Sequence, residues 1–258
     1  MYTTKQFEIA GLPVLKLIPD HASKTSPVIV WLHDGQFASG DPVDALPLAG
    51  LLAEDAVVLI PDYPLAPEHP FPAALNAVFE LLKEVAAAKP NAAALMIGGD
   101  RAGGNLAAAL SLRARDEGLK RLNAQILLRP MLDAAQTTPS MRAAGNCPCA
   151  QAWRDYLSKP SDAMHPYAAP LTATRLAGLV PALIVTGESE PTRDEGEQYA
   201  ARLLVSGVPT QVLRMKGSSV PMDSSAQSTT GQPVIEVLRS FVSCVALSCA
   251  PRKPVKTI

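Results

Sequence analysis

The sequence predicts an α/β fold, a mostly parallel, doubly wound sheet flanked by helices. Short apolar runs recur at residues 27–32, 56–61, 94–98, 124–128 and 182–186. Each is too short for a helix and apolar throughout, as in strands covered on both faces. Segments with apolar residues at helical spacing separate them, at 71–88, from about 105 to 117, at 195–206 and at 233–248. The 258 residues are 48% hydrophobic and 18% charged, enough apolar material for one large core.

In chain order, residues 11–18 alternate in part and stop at Pro19-Asp20, which reads as a strand and a turn. Pro70 and Pro72 stand at the start of the 71–88 helix, where proline is tolerated. The 94–98 strand runs into Gly99-Asp100-Arg101-Ala102-Gly103-Gly104 before the next helix. Residues from about 133 to 170 are less periodic and rich in turn formers. They predict an irregular insert above the strand ends, where doubly wound sheets hold their ligands. Residues 210–215 read as the last strand, 217–232 as a flexible loop rich in Ser, Thr and Gly, and about 249–258 as a flexible tail. With no repeat and no linker, one domain is expected over 1–258.

Net charge is −1 and the basic residues are scattered, so neither nucleic acid nor an anionic membrane surface is an expected partner. No run of about 18 apolar residues appears, and the first twenty residues lack a secretory pattern. A cytoplasmic protein is therefore expected. The four cysteines, Cys147, Cys149, Cys244 and Cys249, are poorly spaced for zinc and are expected as free thiols. No metal and no cofactor is expected.

Four stretches point to a family. Trp31-Leu32-His33-Asp34-Gly35-Gln36-Phe37 looks like a His-Gly-Gly-Gly oxyanion segment. Residues 61–74, Pro-Asp-Tyr-Pro-Leu-Ala-Pro-Glu-His-Pro-Phe-Pro-Ala-Ala, are close to the signature Asp-Tyr-Arg-Leu-Ala-Pro-Glu-His-Pro-Phe-Pro-Ala. Residues 98–107 resemble the Gly-Asp-Ser-Ala-Gly-Gly-Asn-Leu nucleophile elbow, and residues 189–196 an Asp-Pro-Leu-Arg-Asp-Glu-Gly segment. In this order the motifs resemble the α/β-hydrolase fold of the hormone-sensitive-lipase-type esterases. The resemblance implies a pocket for a small, partly apolar organic ligand. Family members often carry an N-terminal helical cap, which is expected to be largely missing here, and often pair into homodimers, a state left open for this chain.

Ester hydrolysis in that family needs a serine, a histidine to take its proton, a carboxylate to orient the histidine, and N–H donors for the oxyanion. At the serine position this chain has Arg101, whose guanidinium is always charged and is no nucleophile. At the acid position it has Glu190. At the histidine position the alignment gives Val220, and the histidines are His21, His33, His69 and His165, none beyond 165. Asp34 replaces a glycine of the oxyanion segment, and a carboxylate there opposes developing negative charge. His33, Gly35, Gln36 and Ala102 are the expected binding residues. Arg101 is expected to pair with Glu190 or Asp34, either plugging the pocket or anchoring an anionic ligand. The triad thus reads as degenerate. The leading expectation is a non-hydrolytic binder or a repurposed cyclase, lyase or isomerase, since the family includes a plant hormone receptor and plant cyclases that do not hydrolyse esters. The alternatives are a weak carboxylesterase and an inert partner.

Overall fold

In a computed structural model of the chain, residues 1–145, 147–216 and 232–249 are described. The strands are β1 (Tyr2–Ile9), β2 (Leu12–Pro19), β3 (Val28–Leu32), β4 (Val57–Pro61), β5 (Leu95–Asp100), β6 (Leu122–Leu128), β7 (Ala182–Gly187) and β8 (Thr210–Met215). The helices are α1 (Leu46–Leu52), α2 (Ala73–Ala88), α3 (Ala102–Asp116), α4 (Pro139–Ala143), α5 (Cys149–Tyr156), α6 (Arg193–Val205) and α7 (Gln232–Cys249). The strands form one sheet in the order β1-β2-β4-β3-β5-β6-β7-β8. β1 and β2 are antiparallel to their neighbours, and the rest of the sheet is parallel. This is the α/β-hydrolase fold that the motifs implied.

The apolar runs became the central strands because both sides of the sheet are covered. Every residue of β3, β4, β5 and β7 is buried. Along β3, Val28, Val30 and Leu32 face a core with α2, α3 and α6, while Ile29 and Trp31 face the one built with α1 and α7. Each such fully buried side chain contributes roughly 1.5–3 kcal/mol.

The path turns from β3 to β4 on one side, then back past β3 to β5 on the other. The switch point of this doubly wound sheet therefore lies between the carboxyl ends of β3 and β5, where such sheets bind ligands. Those ends carry the 33–36 segment and the Arg101 turn.

Several boundaries differ from the sequence reading. β1 was not foreseen, and it forms a hairpin with β2. α3 begins at Ala102, directly after Arg101, rather than at about 105. The 133–170 insert contains α4, α5 and a 3-10 turn at Pro160–Met164, and a second 3-10 turn, Pro170–Thr172, starts at its last residue. Val220, most of the expected 217–232 loop and residues 250–258 lie outside the described residues. Cys147 and Cys149 are joined in a disulfide, which corrects the expectation of free thiols, whereas Cys244 and Cys249 are free and exposed. The turn into α5 holds the pair's Cα atoms 5.2 Å apart, within reach of a bridge. Among the described residues no helix is long and apolar enough to cross a membrane.

Candidate active site

The Arg101 turn is built by close backbone approach. β5 ends at Asp100, and Arg101 adopts φ 46°, a left-handed value, before α3 starts. Arg101 N–H donates to the Leu128 carbonyl (2.9 Å), which ties the turn to β6. Gly103 is required because a Cβ there would lie 2.1 Å from the Leu32 carbonyl oxygen. The apex side chain thus projects beyond the ends of β3 and β5, a strained position of the kind found at functional sites.

The 33–37 segment is equally constrained. Gly35 has φ +142°, and a Cβ on it would fall 1.7 Å from the Ser39 carbonyl oxygen. Gln36 and Phe37 also take positive φ values. His33 clamps this loop. Its ring is buried and stacked on Tyr63 at 4.4 Å between centroids. Its Nδ1 lies 2.6 Å from the Asp34 carbonyl oxygen, so Nδ1 carries the proton and donates. The Tyr63 hydroxyl donates to the His33 carbonyl (2.7 Å).

Asp34 occupies the N–H donors of the site. Its Oδ1 accepts from Gln36 N–H at 3.1 Å and, weakly, from Ala102 N–H at 3.5 Å. Its Oδ2 lies 3.8 Å from Arg101 Nε. Arg101 Nη2 in turn donates to Glu190 Oε2 at 2.5 Å. Glu190 is buried and its Oε1 accepts from Arg129 Nη1 at 3.3 Å. Arg129 closes a two-pronged contact on Asp100, with Nε at 2.9 Å from Oδ1 and Nη2 on Oδ2. Asp34, Arg101, Glu190, Arg129 and Asp100 therefore alternate in sign along one continuous chain of contacts.

Burial sets the character of this network. It raises the Asp100 carboxyl above its usual range against the pull of Arg129. Burial also opposes the charge on Arg129, yet the Asp100 and Glu190 carboxylates more than offset it and hold the guanidinium firmly protonated. A cavity of about 360 Å³ opens beside the network, lined among others by Trp31, His33, Asp34, Asp100 and Arg129. On the other flank Phe37 stacks on Tyr156 of the insert (3.9 Å) and lies 5.2 Å from the Trp153 ring.

Arg101, Glu190, Asp34, Gln36 and Ala102 thus come together at one point, with Gly35 shaping the loop. His165, His69 and His21 are exposed, and His165 sits against Phe71 and Tyr167 in the insert. Sequence reasoning missed Arg129 and the role of Asp100. The available signal was a charged residue at the carboxyl end of a buried strand, where nothing apolar explains its place. Among the described residues no group of three or more His, Cys, Asp or Glu is arranged to hold a metal.

A strand–turn–helix apex at the switch point, facing a glycine-shaped loop with N–H donors, is the site architecture of the α/β hydrolases. The profile of the α/β hydrolase fold matches residues 29–219, and the chain belongs to this family, with carboxylesterases of the hormone-sensitive-lipase type among its relatives. An arylesterase of Saccharolobus solfataricus is 35% identical over 207 residues, 74% of this chain and 66% of that protein. The esterase LipI of Mycobacterium tuberculosis is 34% identical over 75% of this chain and 64% of its own length. The chain thus spans less than two thirds of these curated relatives. Among solved structures, a bacterial heroin esterase matches with a TM-score of 0.86 at 28% identity, over 95% of this chain and 84% of that one. A hyperthermophilic esterase of Pyrobaculum calidifontis matches with a TM-score of 0.83 at 30% identity, over 97% and 84%.

Proposed function

We propose that the chain is a slow carboxylesterase acting on small, partly apolar esters, with water in place of a side-chain nucleophile and Arg101 as the electrostatic element. The names of its relatives support ester hydrolysis over a non-hydrolytic role. The observation that carries the low rate is the apex itself, where an arginine bound to Glu190 stands at the turn. In this reading Arg101 draws the ester carbonyl into the site. Asp34 swings off the Ala102 and Gln36 N–H groups, takes a proton from a water molecule, and that water attacks the carbonyl carbon. The N–H groups and Arg101 hold the oxyanion. Collapse expels the alcohol, which takes the proton from Asp34, and the acid left behind releases its remaining proton to solvent and stays as a carboxylate on Arg101.

A second reading has one specific observation in its favour. Asp34 already fills the N–H donors, as a bound carboxylate would. On that reading the pocket binds a small organic acid without turning it over.

The test is hydrolysis of p-nitrophenyl acetate and butyrate by the purified chain, beside Asp34→Asn and Arg101→Met. Slow turnover that both substitutions abolish supports the first reading. A rate equal to buffer, with butyrate binding that needs Arg101, supports the second. Turnover untouched by either substitution removes both. Arg101→Ser combined with Val220→His is expected to gain turnover if these are the serine and histidine positions.

A further inference from the structure

We infer that Cys147 and Cys149 form a reversible dithiol–disulfide couple, a redox modification site that governs how the insert lies on the candidate active site. This does not rest on the reaction proposed above. The disulfide joins residues two apart in sequence. A bridge closing so short a loop removes little chain entropy, so it adds little to global stability. Its effect is local. It fixes the turn that leads into α5, where Cys149 N–H also donates to Cys147 Sγ at 3.3 Å.

The two sulfurs differ in access. Cys147 is half-buried, while Cys149 is fully buried as the first residue of α5. An external dithiol therefore attacks at Cys147. Its thiolate forms a mixed disulfide with Cys147 Sγ, the S–S bond breaks, and the electron pair leaves on Cys149 Sγ. That sulfur then lies at the N-terminus of α5, where the positive end of the helix dipole favours a thiolate. The second thiol of the reagent displaces Cys147. The chain gains two electrons and, from solvent, two protons, and the dithiol becomes a cyclic disulfide.

The opened turn reports to the site through α5. Trp153 and Tyr156 lie one and two turns on and cover Phe37, the residue after Gln36. Tyr156 also holds the chain ahead of α2, its carbonyl accepting from Phe71 N–H at 2.7 Å. Trp153 Nε1 and Tyr156 Oη are buried without a hydrogen-bond partner among the described residues.

The experiment uses the full chain equilibrated with oxidised or reduced dithiothreitol, quenched, alkylated and mapped by mass spectrometry. Tryptophan emission is read on the same samples. The oxidised chain is expected to carry a Cys147–Cys149 cross-link and two alkylated cysteines, Cys244 and Cys249, against four after reduction. Emission is expected to shift between the two forms through Trp153, with Trp31, fixed inside the sheet, as a constant background. Cys147→Ser should show the reduced-form emission in both buffers, and Cys244→Ser should behave as the natural chain. Four alkylated cysteines in the oxidised sample would remove the couple. A cross-link that forms with no change in emission would overturn its link to the site.

Discussion

At the scale of single residues, the site is defined by a carboxylate sitting where an anion belongs. Asp34 competes with any ligand for the Ala102 and Gln36 N–H groups and for Arg101. Asp34→Gly is expected to tighten binding of acetate or butyrate by about tenfold, the effect of one charge-assisted hydrogen bond returned to the ligand. Titration calorimetry reads this directly, and unchanged affinity would show that Asp34 does not block the donors. Glu190 has the opposite part, since it is shared by Arg101 and Arg129. Glu190→Gln leaves a buried guanidinium short of its counter-charge and is expected to destabilise the chain by about 3–5 kcal/mol in urea denaturation. The positions of Arg101, Asp34 and Glu190 were legible because three motifs appear in family order. The partners of Arg129 were not, because they lie 29 and 61 residues away, and its place after a buried strand marks a charge without saying what it pairs with.

At the scale of elements, the parallel strands and their helices were legible from apolar runs and helical spacing. β1 was not, because nearly all of it is exposed and it exists through pairing with β2 rather than through its own pattern. The insert was readable only as irregular, since short helices such as α4 and α5 are fixed by contacts. One contact is Glu195 of α6, whose Oε2 accepts from Leu132 and Asp133 N–H at the start of the insert. Burial pushes its carboxyl up to about 8, more than those two bonds pull it down. The folded pKa therefore lies above the unfolded one. Between about 4.5 and 8 the folded chain keeps a proton that the unfolded chain has lost, so this group's contribution falls as pH rises through that window and is flat above it. The expected slope is roughly 1.4 kcal/mol per pH unit. Glu195→Gln keeps an acceptor for the two N–H groups and is expected to flatten that slope in denaturant melts from pH 5 to 8.

At the scale of the whole molecule, the fold places its most constrained strands under the site. β3 and β5 flank the switch point and are covered on both faces, whereas β1 ends the sheet in the open. Amide exchange is expected to be slowest in β3, β5 and β7 and fastest in β1. Protection that does not follow this order would mean the sheet opens from its centre. β8 ends the sheet on the side opposite β1 among the described strands, and its Val212 is exposed.

The chain of alternating charges also constrains how such a site can change over time. Its members are three carboxylates and two guanidiniums, so replacing an inner member, Arg101, Glu190 or Arg129, takes a partner from two neighbours at once. Removing Arg101 first strands both Asp34 and one oxygen of Glu190. Removing Asp34 first leaves Arg101 still held by Glu190. Passage between a neutral side chain at 101 and the present arginine is therefore easiest with position 34 neutral along the way. Electrostatics thus favours neutralising position 34 before position 101.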